Sequence, residues 1–255
     1  PHACLRYGAF LSQAHNASAN ARASGQLLVA SAMSVLGHPQ LRVEADKALA
    51  MAREGQSTSY VLGALCLVLG TLDREDPADQ AALESLLEEL ERLAPHAEEM
   101  STKGVVWCQL GIAALDAQDL VAARRWYVQA LEATQGEEIS YNLGSLYFNI
   151  AEVDELEGDI DSALIGYAKA AQVFHDVGTL QVEAFVRTQL SRLLLKAERA
   201  AEALEAASGA VLAARRTRSD DSLVPALEAL VAASEAAGDA PRAAAAAAEA
   251  AQLAT

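Results

Sequence analysis

The chain has 255 residues, of which 52% are hydrophobic and only 5% aromatic, and its net charge is −16 with an isoelectric point near 4.6. That charge repels phosphate backbones and argues against direct nucleic-acid binding. Alanine dominates, β-branched runs are scarce and prolines number six, so good helix formers fill the sequence and an all-α fold is expected. Three well-separated cysteines (Cys4, Cys66, Cys108) without a CxxC pair form neither a disulfide framework nor a zinc pattern, which suits a reducing, cytoplasmic setting. The start PHACLRYGAF lacks a basic region followed by an apolar one, so it is not expected to act as a signal peptide. The longest uncharged run, 55–72, opens on polar GQSTS; its apolar part is too short to cross a bilayer, and no membrane role is expected.

In chain order, residues 1–16 carry Ala3, Tyr7 and Phe10, a trio that returns later at a fixed spacing. These residues therefore resemble the second helix of a hairpin. Helical patterns follow at 19–36, 57–72, 98–117, 137–157, 180–197 and 220–237. Each is succeeded by another helix. The later second helices open at Asp119, Asp159, Arg199 and Asp239, forty residues apart. Small or apolar residues stand at the same offsets in each: Ala123, Tyr127, Ala130; Ala163, Tyr167, Ala170; Ala203, Ala207, Ala210; Ala243, Ala247, Ala250. Asp79 with Leu83, Leu87 and Leu90 continues the series backwards, and a further step, shifted by two, gives Leu41 with Ala45, Leu49 and Ala52. Turn chemistry marks the joints at Gly37-His38-Pro39, Gly158-Asp159, Gly178 and Gly238-Asp239. The predicted unit is a forty-residue helical hairpin. Hairpins are expected at about 19–54, 57–94, 98–134, 137–177, 180–218 and 220–254, after a half-repeat at 1–16. A lone hairpin cannot bury its apolar stripe, so neighbours must stack. Uncapped repeats at both ends lead us to expect a continuation into a longer chain, or covering partners.

WCQLG at 107–111, followed by Ala123, Tyr127 and Ala130, resembles the tetratricopeptide repeat signature of W-x2-L-G and then small, aromatic, small. NLGSLY at 142–147 resembles the same family's N-L-G-x-x-Y, and FHDVGTLQVEA at 174–184 resembles the joint of a long-repeat variety found in bacterial LuxR-type and AfsR-like signalling regulators. The resemblance covers most of the chain and departs from the short-repeat consensus in its period of forty rather than 34. It implies a right-handed superhelix of antiparallel hairpins, a TPR-like α-solenoid. It also implies a concave groove lined by first helices, with Trp107 in a hairpin core. The function implied is non-catalytic binding of a protein or peptide partner, or a small effector, within a signalling or transcription regulator. A scaffold that assembles a protein complex without an effector stays open beside it.

No catalytic or cofactor motif appears. The histidines, His2, His15, His38, His96 and His175, have no metal-ligand spacing, and the sequence lacks GxxxxGK[ST], GxGxxG and GxSxG. Acid pairs such as Glu88-Glu89 read as solvated helix faces beside Arg92. The basic cluster Arg215, Arg216 and Arg218 falls at an expected helix end, where cations complement the dipole.

The candidate surface is the groove. On the register set by Trp107, one position of three successive first helices is Gln109, Asn149 and Gln189, with Leu69 and Ala229 beyond them. Three residues on come Ile112, Glu152 and Arg192, which places opposite charges on neighbouring helices. Within one helix Asn142, Ser145, Asn149 and Glu152 form a polar stripe, and Phe148 and Phe185 lie close to this register. Amides donate and accept, which suits a peptide backbone; they also bridge helices in purely structural roles. The family's carboxylate clamp is not reproduced. Its positions read Cys108, Ile112, Asn149, Phe185 and Gln189, and only Asn149 fits.

Overall fold

The computed structural model describes residues 1–14, 16–73, 76–134, 140–217 and 220–253. His15 and Arg218 lie outside them. The described residues form thirteen α-helices and one 3-10 turn, with no strand. The helices are α1 (His2–Gln13), α2 (Ala19–Val35), α3 (Leu41–Gly55), α4 (Thr58–Leu69), α5 (Pro77–Leu93), α6 (Met100–Asp116) and α7 (Leu120–Ala133), then α8 (Tyr141–Glu157), α9 (Ile160–Asp176), α10 (Leu180–Lys196), α11 (Ala200–Thr217), α12 (Asp220–Ala236) and α13 (Ala240–Leu253). None is long and apolar enough to cross a membrane. The architecture is an all-α repeat of stacked helical hairpins, a solenoid.

Local chemistry explains where these helices start. Ser18, Ser57 and Ser140 accept from the amides of Ala21, Tyr60 and Leu143, and Asp76 accepts from Ala78 ahead of Pro77. Their ends repeat. Gln118, Gly158, Glu198 and Gly238 stand forty residues apart, and all four have positive φ, between 59° and 84°. At each, the following amide reaches back five residues: Asp119 to the Ala114 carbonyl, Asp159 to Asp154, Arg199 to Leu194 and Asp239 to Ser234, at 2.8–2.9 Å. This is the Schellman ending, which satisfies carbonyls that the helix leaves open. The next residue then begins the second helix. The Asp119, Asp159 and Asp239 carboxylates accept from Ala122, Ser162 and Arg242. Arg199 is the exception. It pairs with Glu202 instead.

The chain divides into two compact units, Pro1–Ala113 with Glu132–Thr134, and Ala114–Leu131 with Gln135–Thr255. In the first, α2 packs on α1, α3 and α4. Ala30, Ala45 and Val68 form a small buried cluster with Leu41, Leu49, Leu67 and Leu86 against it. The α1–α2 crossing depends on glycine. A Cβ on Gly25 would stand 2.7 Å from the Ser12 nitrogen and 2.8 Å from the Gly8 carbonyl oxygen. So α1 buries Gly8 and Ser12, while Tyr7 and Phe10 are 60% and 71% exposed. The recurring trio is therefore not the buried face of α1, because close backbone approach selects the glycine side.

In the second unit, α9 packs against α8 and α10, and α11 against α10 and α12. Ala163, Tyr167, Ala170, Phe174, Leu193, Ala203 and Ala207 belong to one buried core. The trios at 123–130, 163–170 and 203–210 are buried as their spacing predicts, whereas in α13 Ala243 is buried and Ala247 is exposed. Alanine on the second helices lets the layers approach closely, and large buried side chains come from both kinds of helix, Tyr127 and Phe174 from second helices and Leu146, Leu193 and Leu227 from first ones, at about 1.5–3 kcal/mol for each fully buried leucine, valine or phenylalanine.

Candidate functional site

Three of the sequence candidates meet in one cleft of about 480 Å³. It lies between α10 and α12, first helices of successive hairpins within one unit. Helix α10 supplies Gln181, Val182, Phe185, Thr188, Gln189 and Arg192; α12 supplies Asp221, Ser222 and Pro225. Residues at i, i+4, i+7, i+8 and i+11 share one helix face, which is why Gln181, Phe185, Thr188, Gln189 and Arg192 face the same way, with Val182 at its edge. Phe185 is 49% exposed and stands 5.6 Å, ring to ring, from Phe148 on α8; Phe148 in turn lies 5.4 Å from Tyr167. The aromatic row fixes one wall. The Thr188 hydroxyl donates to the Ala184 carbonyl and is spoken for. The Gln189 amide, the Arg192 guanidinium and the Asp221 carboxylate have no partner among the described residues.

The charges predicted to face each other do not pair. Glu152 and Arg192 form no ion pair, because Arg192 belongs to the α10–α12 cleft while Glu152 sits half-buried on α8. Burial raises the Glu152 carboxyl above the ordinary carboxylate value, and the adjacent Glu155 raises it further. Two cations near α8 are taken by other acids. Arg124 binds Asp154 and Glu157, both at 2.6 Å, and Lys196 binds Glu155 at 2.7 Å. The Tyr167 hydroxyl donates to Glu155 at 3.1 Å, and burial with that carboxylate pushes the phenol up. The polar stripe on α8 is only partly open. Asn142 is exposed, Ser145 donates to the Tyr141 carbonyl, and Asn149 is half-buried and engaged. Gln109, on α6 in the other unit, is half-buried, as is Trp107.

A larger cleft of about 540 Å³ lies among α9, α10 and α11, lined by Asp161, Ile165, Arg187, Leu190, Arg199 and Glu202 among others. Its cations are already bound: Arg199 to Glu202, and Arg187 to Glu183 at 2.8 Å. In the first unit a small cleft of about 210 Å³ holds Cys66. Burial, with Cys108 nearby, pushes that thiol up to about 12, so it stays protonated and is no nucleophile. Arg215 and Arg216 do end α11, and Arg215 binds Glu249 at 2.7 Å. No group of three metal-ligating side chains comes together among the described residues.

Sequence reasoning missed Asp221, Ser222, Pro225, Gln181 and Val182. The signal was present: Asp221, Ser222 and Pro225 stand forty residues after Gln181, Val182 and Phe185.

No protein-family model matches the chain, and none of the curated proteins does. Solved structures do. BtubC (BKLC) from P. vanneervenii is 18% identical, with a TM-score of 0.70 over 91% of this chain and 90% of that one. A Signal Transduction ATPase with Numerous Domains (STAND) protein with a tetratricopeptide repeat sensor, from Pyrococcus horikoshii, is 16% identical with a TM-score of 0.70; the match covers 92% of this chain but 36% of that one. The apo form of RapI is 15% identical with a TM-score of 0.55, over 91% and 88%. These likenesses establish a tetratricopeptide-like helical-repeat fold.

Proposed function

We propose that the chain is a non-catalytic binding module, the partner- or effector-sensing segment of a bacterial signalling or transcription regulator. The observation that carries this reading is the α10–α12 cleft, where an exposed aromatic ring stands beside an amide and two charges that have no partner among the described residues. Exposed polar groups without partners next to an apolar wall are what a recognition surface needs, since the ligand supplies the missing hydrogen bonds. The STAND protein supports the sensing role, because its repeats are a sensor attached to an ATPase. A sensor must bind one of two arrangements preferentially. A scaffold would hold a protein partner without that bias.

Replacing Phe185 and Gln189 together by Ala tests the site. The wild-type protein is screened against small effectors by thermal shift and used for affinity capture from its source cell. Binding to the folded state raises the melting temperature. The double variant is expected to lose the ligand-induced shift or the captured partner while still unfolding cooperatively. Equal binding by the variant would place recognition elsewhere. Sequence flanking the segment in its gene separates sensor from scaffold, because a sensor requires an adjoining ATPase or DNA-binding module.

A further inference from the structure

Arg192 and Asp221, the two charges of the α10–α12 cleft without a partner among the described residues, are separated along the groove. Asp221 stands one forty-residue repeat after Gln181, which lines the same cleft. Arg192 is eleven residues beyond Gln181, about 16 Å along a helix axis at 1.5 Å per residue. A free amino acid, with ammonium and carboxylate on one carbon, cannot span this. An extended chain does so in about five residues at 3.3–3.6 Å each.

The two ends also differ in hydrogen-bond character. Pro225 lies inside α12 and has no N–H, so the Asp221 carbonyl loses the donor that a helix provides four residues on. The Asp221 end therefore offers a carboxylate and a released carbonyl, both acceptors. The Arg192 end offers guanidinium donors only. Gln189, between them, does both, and Val182, Phe185 and Pro225 give the middle an apolar floor.

We infer that this cleft takes an extended segment of a partner protein, about five residues long, with a basic side chain at the Asp221 end, an apolar one over Phe185 and an acidic one at the Arg192 end. The inference rests on reading the cleft as a binding site and specifies its occupant.

Three labelled, end-blocked pentapeptides test it by fluorescence anisotropy: Lys-Ala-Leu-Ala-Glu, Lys-Ala-Leu-Ala-Lys and Glu-Ala-Leu-Ala-Glu. In about 50 mM salt, where surface charges are weakly screened, the mixed peptide is expected to bind the wild-type chain about tenfold more tightly than either like-charged one. Arg192→Glu should move the preference to the Lys/Lys peptide, and Asp221→Lys to the Glu/Glu peptide. Both residues are exposed, so melting temperature and helicity should hold and a change of preference reports the cleft. Equal binding of the three peptides, or a preference that neither inversion moves, overturns the inference. If none of the peptides binds while Phe185→Ala/Gln189→Ala still abolishes a thermal-shift ligand or captured partner, the segment inference fails and the binding reading stands.

Discussion

Glu198 is held at φ 59°, a left-handed conformation that Gly158 and Gly238 occupy at the equivalent positions. That region costs a side-chain-bearing residue about 1–2 kcal/mol relative to glycine. The neighbouring Arg199 likewise replaces the aspartate that caps the second helix at 119, 159 and 239. Glu198→Gly should therefore stabilise the protein by about 0.5–1 kcal/mol, and adding Arg199→Asp by about 1 kcal/mol more. The exposed Arg199–Glu202 pair lost in the exchange is worth little. Chemical denaturation measures both; a lower midpoint for Glu198→Gly would contradict the argument. The glycine joints were legible because glycine advertises its φ. Glu198 and Gln118 were not, since a fixed backbone repeat imposes the same conformation on whatever residue arrives there. Glu152 makes a second residue-scale case. Its carboxyl is raised in the folded state, so the native protein binds more protons than the unfolded chain above pH 4.5, and stability falls as pH rises through that window. Glu152→Gln removes the effect. Its melting temperature should exceed that of the wild type at pH 7, with the gap closing toward pH 4. A gap independent of pH would show that the charge is not the cause.

Among the elements, α1 and α2 show how context reverses a propensity. Alanine favours a helix over glycine by about 1 kcal/mol. At Gly25 the new Cβ would strike backbone atoms 2.7–2.8 Å away, which cannot rotate aside, so Gly25→Ala is expected to destabilise by about 1–3 kcal/mol. At Gly63 the nearest atom is the Leu27 Cδ2 at 3.8 Å, and Gly63→Ala should stabilise by up to about 1 kcal/mol. Urea unfolding of both variants gives opposite signs if backbone approach sets the α1–α2 crossing, and the same sign if it does not. Helix existence and spacing followed from the forty-residue register. The face that α1 buries did not, because a trio of apolar residues outranks two small ones in any reading of periodicity, whereas packing distance favours the small ones. The site behaved similarly. Gln189 and Arg192 follow from a register carried across three successive first helices, with Phe185 close to it, but the opposite wall depends on Pro225 and Asp221, ordinary residues until α12 stands beside α10.

At the scale of the whole molecule, net charge opposes the compact state. A net −16 spread over a helical array repels itself, and ion pairs among the described residues such as Arg42–Asp46, Arg199–Glu202 and Arg215–Glu249 are exposed. Screening should therefore help more than it harms. Raising sodium chloride from about 20 mM to about 500 mM is expected to lift the melting temperature by several degrees, as the Debye length shrinks well below 10 Å. A fall on adding salt would mean that the ion pairs, Arg124 with Asp154 and Glu157 foremost, outweigh the repulsion.

The joints at Gln118, Gly158, Glu198 and Gly238 share one backbone geometry at identical intervals. Unequal crossing-over between two of them splices like onto like. Removing 159–198 would join Gly158 to Arg199 in a turn of the shape already found at both places, and duplicating the same block would insert another hairpin without a new junction. Array length is thus open to change in a single genetic event. The α10–α12 cleft would survive only in copies that kept residues 181–225 together.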